Sequence, residues 1–307
     1  MATVHLIVPF ASPLSDAGRQ ALSGLATPAL DSLLSGWREA GRDEGDERSP
    51  DTPHERALAR AIGWRVDAHA PQPWAARLAR ADGIAVGDMA WGLLTPAHWR
   101  VGTDAIHLAD PRTLALDEAA SRALLEAVRP LFESEGFTLA WGAPLRWYAA
   151  HPDFAALRTA SLDRVVGRNV DRWLPAQPQA SRVRRLQSEV QMLLHAHPIN
   201  AEREAAGAMA VNSFWLSGCG AFQPAAAEGV QIDERLAAPA LAEDWPAWSA
   251  AWTAIDASLL PNRPLQALTL CGERSALRFE RVERRLWQRL AASLSSRRRT
   301  REWLQTL

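Results

Sequence analysis

The sequence predicts a layered α/β protein, an αβα arrangement with a mostly parallel central sheet. Three observations carry that reading. Helix-like and strand-like segments alternate along the whole chain. Short apolar runs of strand length, "VHLIVP" and "LQALTLCG", stand near its two ends. No repeat period and no long low-complexity linker interrupts the alternation. The chain has 307 residues, 48% of them hydrophobic, enough for a sizeable core. It reads as one α/β domain over residues 1–307, with room for a small inserted subdomain around residues 64–160.

Residues 4–9 have the length and apolarity of a buried first strand, and "ASPLSD" follows as a polar loop. Thr27-Pro28 reads as a helix cap with proline at the first helical position, opening "PALDSLLSGW". Residues 38–52 are polar and rich in turn formers, and predict a surface loop. "TPHERALARAIGW" repeats the Thr-Pro start of a helix. "GDMAWGLLTPAHWRVGTDAIHLAD" reads as strands broken by a turn, "LDEAASRALLEAVRPLFESEG" as an amphipathic helix closed by glycine, and residues 137–148 as a strand pair. Residues 182–196 form an amphipathic helix stopped by Pro198, with Asn200 placed to cap a short helix after it. Residues 210–216 are a strand running into "SGCG", whose glycines permit close approach of a ligand or another element. Trp245, Trp248, Trp252, Ile255 and Leu259 recur at helical spacing as a core face, and residues 284–307 read as a basic terminal helix or helix pair.

Composition narrows the chemistry. The formal net charge is -1, and all 34 basic residues are arginine. Schiff-base catalysis, a P-loop lysine and lysine phosphate clamps are therefore excluded, while arginine can still fork onto phosphate or carboxylate. Cys219 and Cys271 form no CxxC pair and read as buried thiols. The first apolar run is too short for a signal peptide or a membrane span, and no later segment reaches membrane length without charges. The expectation is a soluble, cytoplasmic protein with no membrane partner. Arg297, Arg298 and Arg299 could meet an acidic partner, but no RNA-binding motif surrounds them, and the balanced charge disfavours nucleic acid. GxSxG, strand-linked GxGxxG, GxxxxGK[ST] and HExxH are all missing.

Two segments concentrate polar residues in patterns suited to an anion. In "HPINAEREAAGAMAVNSFWLSGCG", Asn200 and Arg203 share a helix face and Asn212 stands at the strand start. The competing use is a structural turn, with Arg203 ion-paired to Glu189, Glu202 or Glu204. In "SLDRVVGRNVDRWLP", Arg164 and Arg168 alternate with apolar residues, forming either an anion or partner site or a self-satisfied Asp–Arg network.

Those two segments, with "RRLQSEVQMLLHAHPINAERE", "TPHERALARAIG", "LTPAHWRVGTDAIHLADP" and "GAPLRWYA", resemble the RpfE-type regulatory proteins of proteobacteria over almost the full length. A more distant resemblance is to the archaeal-type cofactor-independent phosphoglycerate mutases of the alkaline phosphatase superfamily. It is carried by His197, Pro198, Asn200, Arg203, Asn212, Phe214, Trp215, Gly218 and Gly220, and by "LATPALDSLLSG". It implies an alkaline-phosphatase-like fold, a single phosphomutase-like domain with its sheet between helix layers.

The departures from that family concern its chemistry. Its first strand ends in a metal-binding Asp-Gly, where this chain has Pro9-Phe10. Its phosphorylated serine has no counterpart other than Thr52 or Ser49. Its later histidine ligand and its lysine are missing, since His197 is the last histidine. Two-metal phosphoryl transfer needs those charges on the attacking and leaving oxygens. The expectation is a non-catalytic, phosphomutase-like regulatory protein without cofactor or metal, binding a small anionic ligand or a protein partner through Arg164, Arg168, Asn200, Arg203 and Asn212. The alternative is a manganese- or zinc-dependent phosphoglycerate mutase or phosphatase with a rearranged site at Thr52, His54, Glu55 and His98.

Overall fold

The computed structural model describes residues 4–67, 70–259, 265–282 and 296–307. In chain order the elements are β1 (Val4–Ser12), α1 (Asp16–Gly24), α2 (Pro28–Ser35), β2 (Trp37–Glu44), α3 (Pro53–Ala61) and α4 (Trp74–Ala81). Then come β3 (Ala90–Ala97), β4 (Trp99–Val101), β5 (Ile106–Leu108), α5 (Glu118–Ser134), β6 (Thr138–Ala143), β7 (Arg146–Ala150) and α6 (Leu162–Val165). The last are α7 (Ala180–His195), α8 (Pro198–Ala205), β8 (Ser213–Ala221), β9 (Val230–Ile232), α9 (Ala237–Leu241), α10 (Trp245–Leu259), β10 (Leu265–Gly272), β11 (Ser275–Arg281) and α11 (Ser296–Gln305). The chain divides into two compact units, one from residues 1–65 and 225–307, the other from 66–224. His69, Trp287 and the first half of the basic tail, 284–295, lie outside the described residues.

The first unit holds a five-stranded sheet in the order β2-β11-β10-β1-β9. β1 pairs in parallel with β10, the central strand, and with β9 at the edge, while β10–β11 and β11–β2 are antiparallel. Alternation along these strands separates two faces. Leu6, Val8, Leu268, Leu270, Leu277 and Phe279 pack with Leu30 and Leu34 of α2, Trp248, Trp252 and Ile255 of α10, and Leu304 of α11. Ile7, Cys271 and Ala276 point the other way, where Ala57 of α3 covers them. The predicted tryptophan stripe of α10 is thus core.

The second unit holds an antiparallel sheet in the order β6-β7-β3-β8 and a small β4–β5 ribbon. Helices α5 and α7 supply Leu124, Leu125, Val128, Phe132, Leu186 and Val190 to one core. The alanine face of α4 packs with Trp91, Tyr148 and Ala150 in another. The glycines of "SGCG" serve that packing. Gly218 and Gly220 have φ of 62° and 142°, and a Cβ on either would meet Ala75 N or Pro73 Cβ at 2.9 Å. The close approach is to the start of α4.

The mostly parallel sheet is therefore corrected: one sheet is mixed and the other antiparallel. Strand-helix alternation implies parallel pairing only where each helix carries the chain back across the sheet. Here β6–β7 and β10–β11 are joined by two-residue connections, which force antiparallel neighbours. Residues 38–44, expected in a loop, lie in the edge strand β2. They are polar because β2 has one strand neighbour, β11, and an exposed outer edge.

Candidate functional site

Three groups of polar side chains come into question, two in the first unit and one in the second. At the start of α3, Thr52 is the N-cap, with Pro53 at the first helical position. Its backbone N–H donates to Glu55 Oε2 at 2.9 Å, and its hydroxyl accepts the Glu55 N–H at 3.3 Å, which completes a capping box. The same hydroxyl lies 3.0 Å from Glu55 Oε2 and 3.1 Å from His54 Nε2. With its proton given to Glu55, one lone pair takes the Glu55 N–H, and the other is open to the His54 ring when Nε2 carries the hydrogen. Thr52 is 3% exposed.

The His54 ring stands 5.5 Å from the ring of Phe10. Phe10 occupies a bulge near the end of β1 with φ of 54°, a conformation that costs a bulky residue about 1–2 kcal/mol. The indole N–H groups of Trp248 and Trp252 hold this bulge by donating to Phe10 O at 2.9 Å and Ala11 O at 3.1 Å.

The second group lies on the α3 face of the sheet. α3 is short and leaves part of this face uncovered, over a cavity of about 260 Å³. His5, Arg42, Asp43, Arg60, Thr269 and Arg278 line it, with the small residues Gly41, Ala57, Ala61 and Ala276 between them. Strand register builds the floor: Thr269 faces Arg278 across β10–β11, and Arg278 faces Gly41 across β11–β2. His5 Nε2 lies 2.7 Å from Thr269 Oγ1.

The charges around the cavity are tethered at its edge. Asp43 accepts from Arg56 Nε at 2.7 Å and Arg60 Nη2 at 3.0 Å. Arg42 bonds Glu39 at 3.1 Å, and Arg278 bonds Glu280 at 2.5 Å. Burial would raise the Asp43 carboxyl, but the Arg60 hydrogen bond and the adjacent Arg56 guanidinium outweigh it and hold the group below its ordinary value. His5 is pushed down to about 4, first by burial and then by the Arg278 charge, with Glu280 partly offsetting, so its ring is neutral near pH 7.

In the second unit most of the predicted anion ligands bond the backbone. Asn200 donates to Leu194 O and Val211 O, both at 2.8 Å, and accepts the Val211 N–H at 2.8 Å. It lies inside α8 and does not cap it; His197 is the cap, accepting the Ile199 N–H. Arg203 donates to Met209 O at 2.9 Å and to Leu114 O, instead of pairing with Glu189, Glu202 or Glu204. Asn212 bonds both backbone groups of Trp99, at 2.7 and 3.0 Å. His98 Nδ1 is 2.8 Å from Ala210 O. Arg164 is buried at the end of α6, and Arg168 Nη1 reaches Arg164 O at 3.5 Å. Thr52, His54 and Glu55 are thus brought together in the first unit, while His98 belongs to the second.

Among the described residues, no three His, Cys, Asp or Glu side chains converge as metal ligands. Sequence reasoning missed the cavity lining. Its trace was present as single polar residues inside apolar strands, His5 in "VHLIV", Thr269 in "LTL" and Arg278 in "LRF".

No family model matches the chain, and a search of curated proteins finds no match. Solved structures similar to it include a cofactor-independent phosphoglycerate mutase from Thermoplasma acidophilum DSM 1728, with TM-score 0.38 and 15% identity, covering 92% of this chain and 90% of that one. A protein from Pyrococcus horikoshii aligns with TM-score 0.45 and 12% identity, covering 92% of this chain and 88% of that one.

Proposed function

We propose that this protein is a non-catalytic ligand-binding protein whose ligand site is the polar cavity beside α3. The observation that carries the reading is the contrast between two neighbouring groups. The Thr52 hydroxyl and the Glu55 carboxylate at the start of α3 are taken up by a capping box, with Thr52 only 3% exposed. The polar side chains on the sheet face line an open volume instead. A regulatory role of the RpfE type and a cytoplasmic location belong to the same reading. Arg164 and Arg168 remain the candidates for a contact to an anion or partner in the second unit.

One observation favours a different reading, a manganese- or zinc-dependent phosphatase or mutase. The 3.1 Å approach of His54 Nε2 to the Thr52 hydroxyl is the geometry of a base beside a nucleophile. Both readings meet in one experiment, phosphate release from a phosphate monoester and from phosphoglycerate with each metal. The binding reading expects none. It also expects Thr52→Ala to lower stability by about 1 kcal/mol through loss of the cap. Metal-dependent turnover that disappears in Thr52→Ala would replace the binding reading with the enzymatic one.

A further inference from the structure

We infer that the outer edge of β2 binds a second copy of this chain. The two β2 strands pair antiparallel about a two-fold axis, and the five-stranded sheets of the two copies join into one. This interface goes beyond the ligand reading of the cavity and stands or falls apart from it.

The edge is open. β2 pairs with β11 on one side, and among the described residues no hydrogen bond reaches its backbone from the other. Arg38, Glu39, Gly41, Arg42 and Glu44 are exposed along it. The sheet's other edge strand, β9, has only three residues, against eight in β2. An edge of that length presents a row of N–H and C=O groups that a further strand can take up.

Charges and a bulge ordinarily keep such an edge single, and β2 has both. Residues 41–44 and 37–39 pair with β11 in two registers, with Ala40 extra between them. The bulge changes which side chains share a face. In a regular strand, residues three apart point to opposite faces. Across this bulge Glu39 and Arg42 point the same way, opposite Phe279 and Leu277, and Arg42 Nε bonds Glu39 at 3.1 Å. Arg38, Gly41 and Asp43 share the other face, opposite Glu280, Arg278 and Ala276. A foreign regular strand laid along this edge falls out of step at Ala40. A second β2 stays in step, because its own bulge meets the first at the axis.

The charges select the same register. With the axis between Ala40 and Gly41, Trp37 stands opposite the partner's Glu44, Arg38 opposite the partner's Asp43, and Glu39 opposite the partner's Arg42. Each pair joins residues of one face, and no like charges meet. A shift of two residues one way sets Glu39 against the partner's Glu44. The same shift the other way sets Arg38 against the partner's Gly41 and leaves no ion pair. The residues at the axis, Ala40 and Gly41, are small, and a Cβ built on Gly41 meets nothing within 4 Å. Asp43 can take the extra donor. Arg56 and Arg60 engage one oxygen each, which leaves each oxygen a further lone pair. Arg38 is 63% exposed and stands 3.6 Å from Glu280, so it can turn to the partner's Asp43 without leaving a buried charge unpaired.

One strand a side is small beside the roughly 20–30 residues of a standard interface, so the dimer is weak and concentration-dependent. The test is analytical ultracentrifugation of the full chain up to about 1 mM. The parent should pass from the mass of one chain toward twice that mass. Glu39→Arg and Arg42→Glu each set like charges across the axis, and each should stay monomeric. Mixed in equal amounts the two variants should dimerise again, since a copy of each restores both ion pairs. Both positions are solvent-exposed, so circular dichroism should show both variants folded.

A parent that stays monomeric at about 1 mM overturns the proposal. A dimer that survives either single change also overturns it. So does a mixture that fails to dimerise once each variant has lost the contact. Phosphate release and occupancy of the cavity beside α3 are separate readouts, and neither moves with these outcomes.

Discussion

At the scale of single residues, the recurring device is a side chain that replaces a missing backbone partner. The sequence points to Thr27 as the cap of α2, yet its side chain caps nothing. The cap comes from Asp256 on α10, whose two carboxylate oxygens accept the N–H groups of Ala29 at 3.0 Å and Leu30 at 2.8 Å. Asp256 is 5% exposed and lies 226 residues from its partner, so no local pattern reveals it. Asp256→Ala should cost about 2–3 kcal/mol, the loss of a cap together with buried donors left unsatisfied, measured by urea unfolding. Ser121 follows the same logic. Its buried hydroxyl donates to Pro144 O and accepts the indole N–H groups of Trp141 and Trp147, which uses its full capacity. The helix start at Thr52 was legible because Thr52-Pro53 is written in adjacent residues. Asp256 and Ser121 were not, because their partners come from other elements.

At the scale of elements, what was legible is what depends on local periodicity. The amphipathic faces of α5 and α7 and the tryptophan stripe of α10 follow from 3.6-residue spacing, and all three are core-facing. Strand direction was not legible, because it depends on which element each connection reaches. Nor was β2, whose polar sequence imitates a loop. The sheet face beside α3 escaped for a related reason: its polar residues lie on four strands and gather only once the register is set. That face predicts a pH dependence. His5 is lowered from 6.5 to about 4 in the native chain, so the unfolded chain binds the proton first. Stability should fall as pH drops through that interval, with His151, also lowered by burial, adding in the same direction. Asp43, held below 3.8, contributes stability above that value that is lost at still lower pH. Urea unfolding at stepped pH should give a shallower decline between 6.5 and 4 for His5→Asn than for the parent; an identical decline would contradict the assignment.

At the scale of the whole molecule, the chain builds two units with separate cores, and one of them is a continuous segment. Residues 66–224 contain their own antiparallel sheet and both layers that pack on it. Expressed alone, this segment should unfold cooperatively in urea with a native-like circular dichroism spectrum. A non-cooperative melt would mean that it draws its order from the rest of the chain. The other unit has the opposite character. His5 meets Thr269 across 264 positions of sequence, and β1 finds both of its strand neighbours after residue 229. On the ribosome the first strand is therefore made long before anything exists for it to pair with. At about 5–20 residues per second it waits on the order of 10–50 s for β10. Through that interval a strongly apolar stretch is nascent and unpaired, and the first strand written becomes one of the last to be placed.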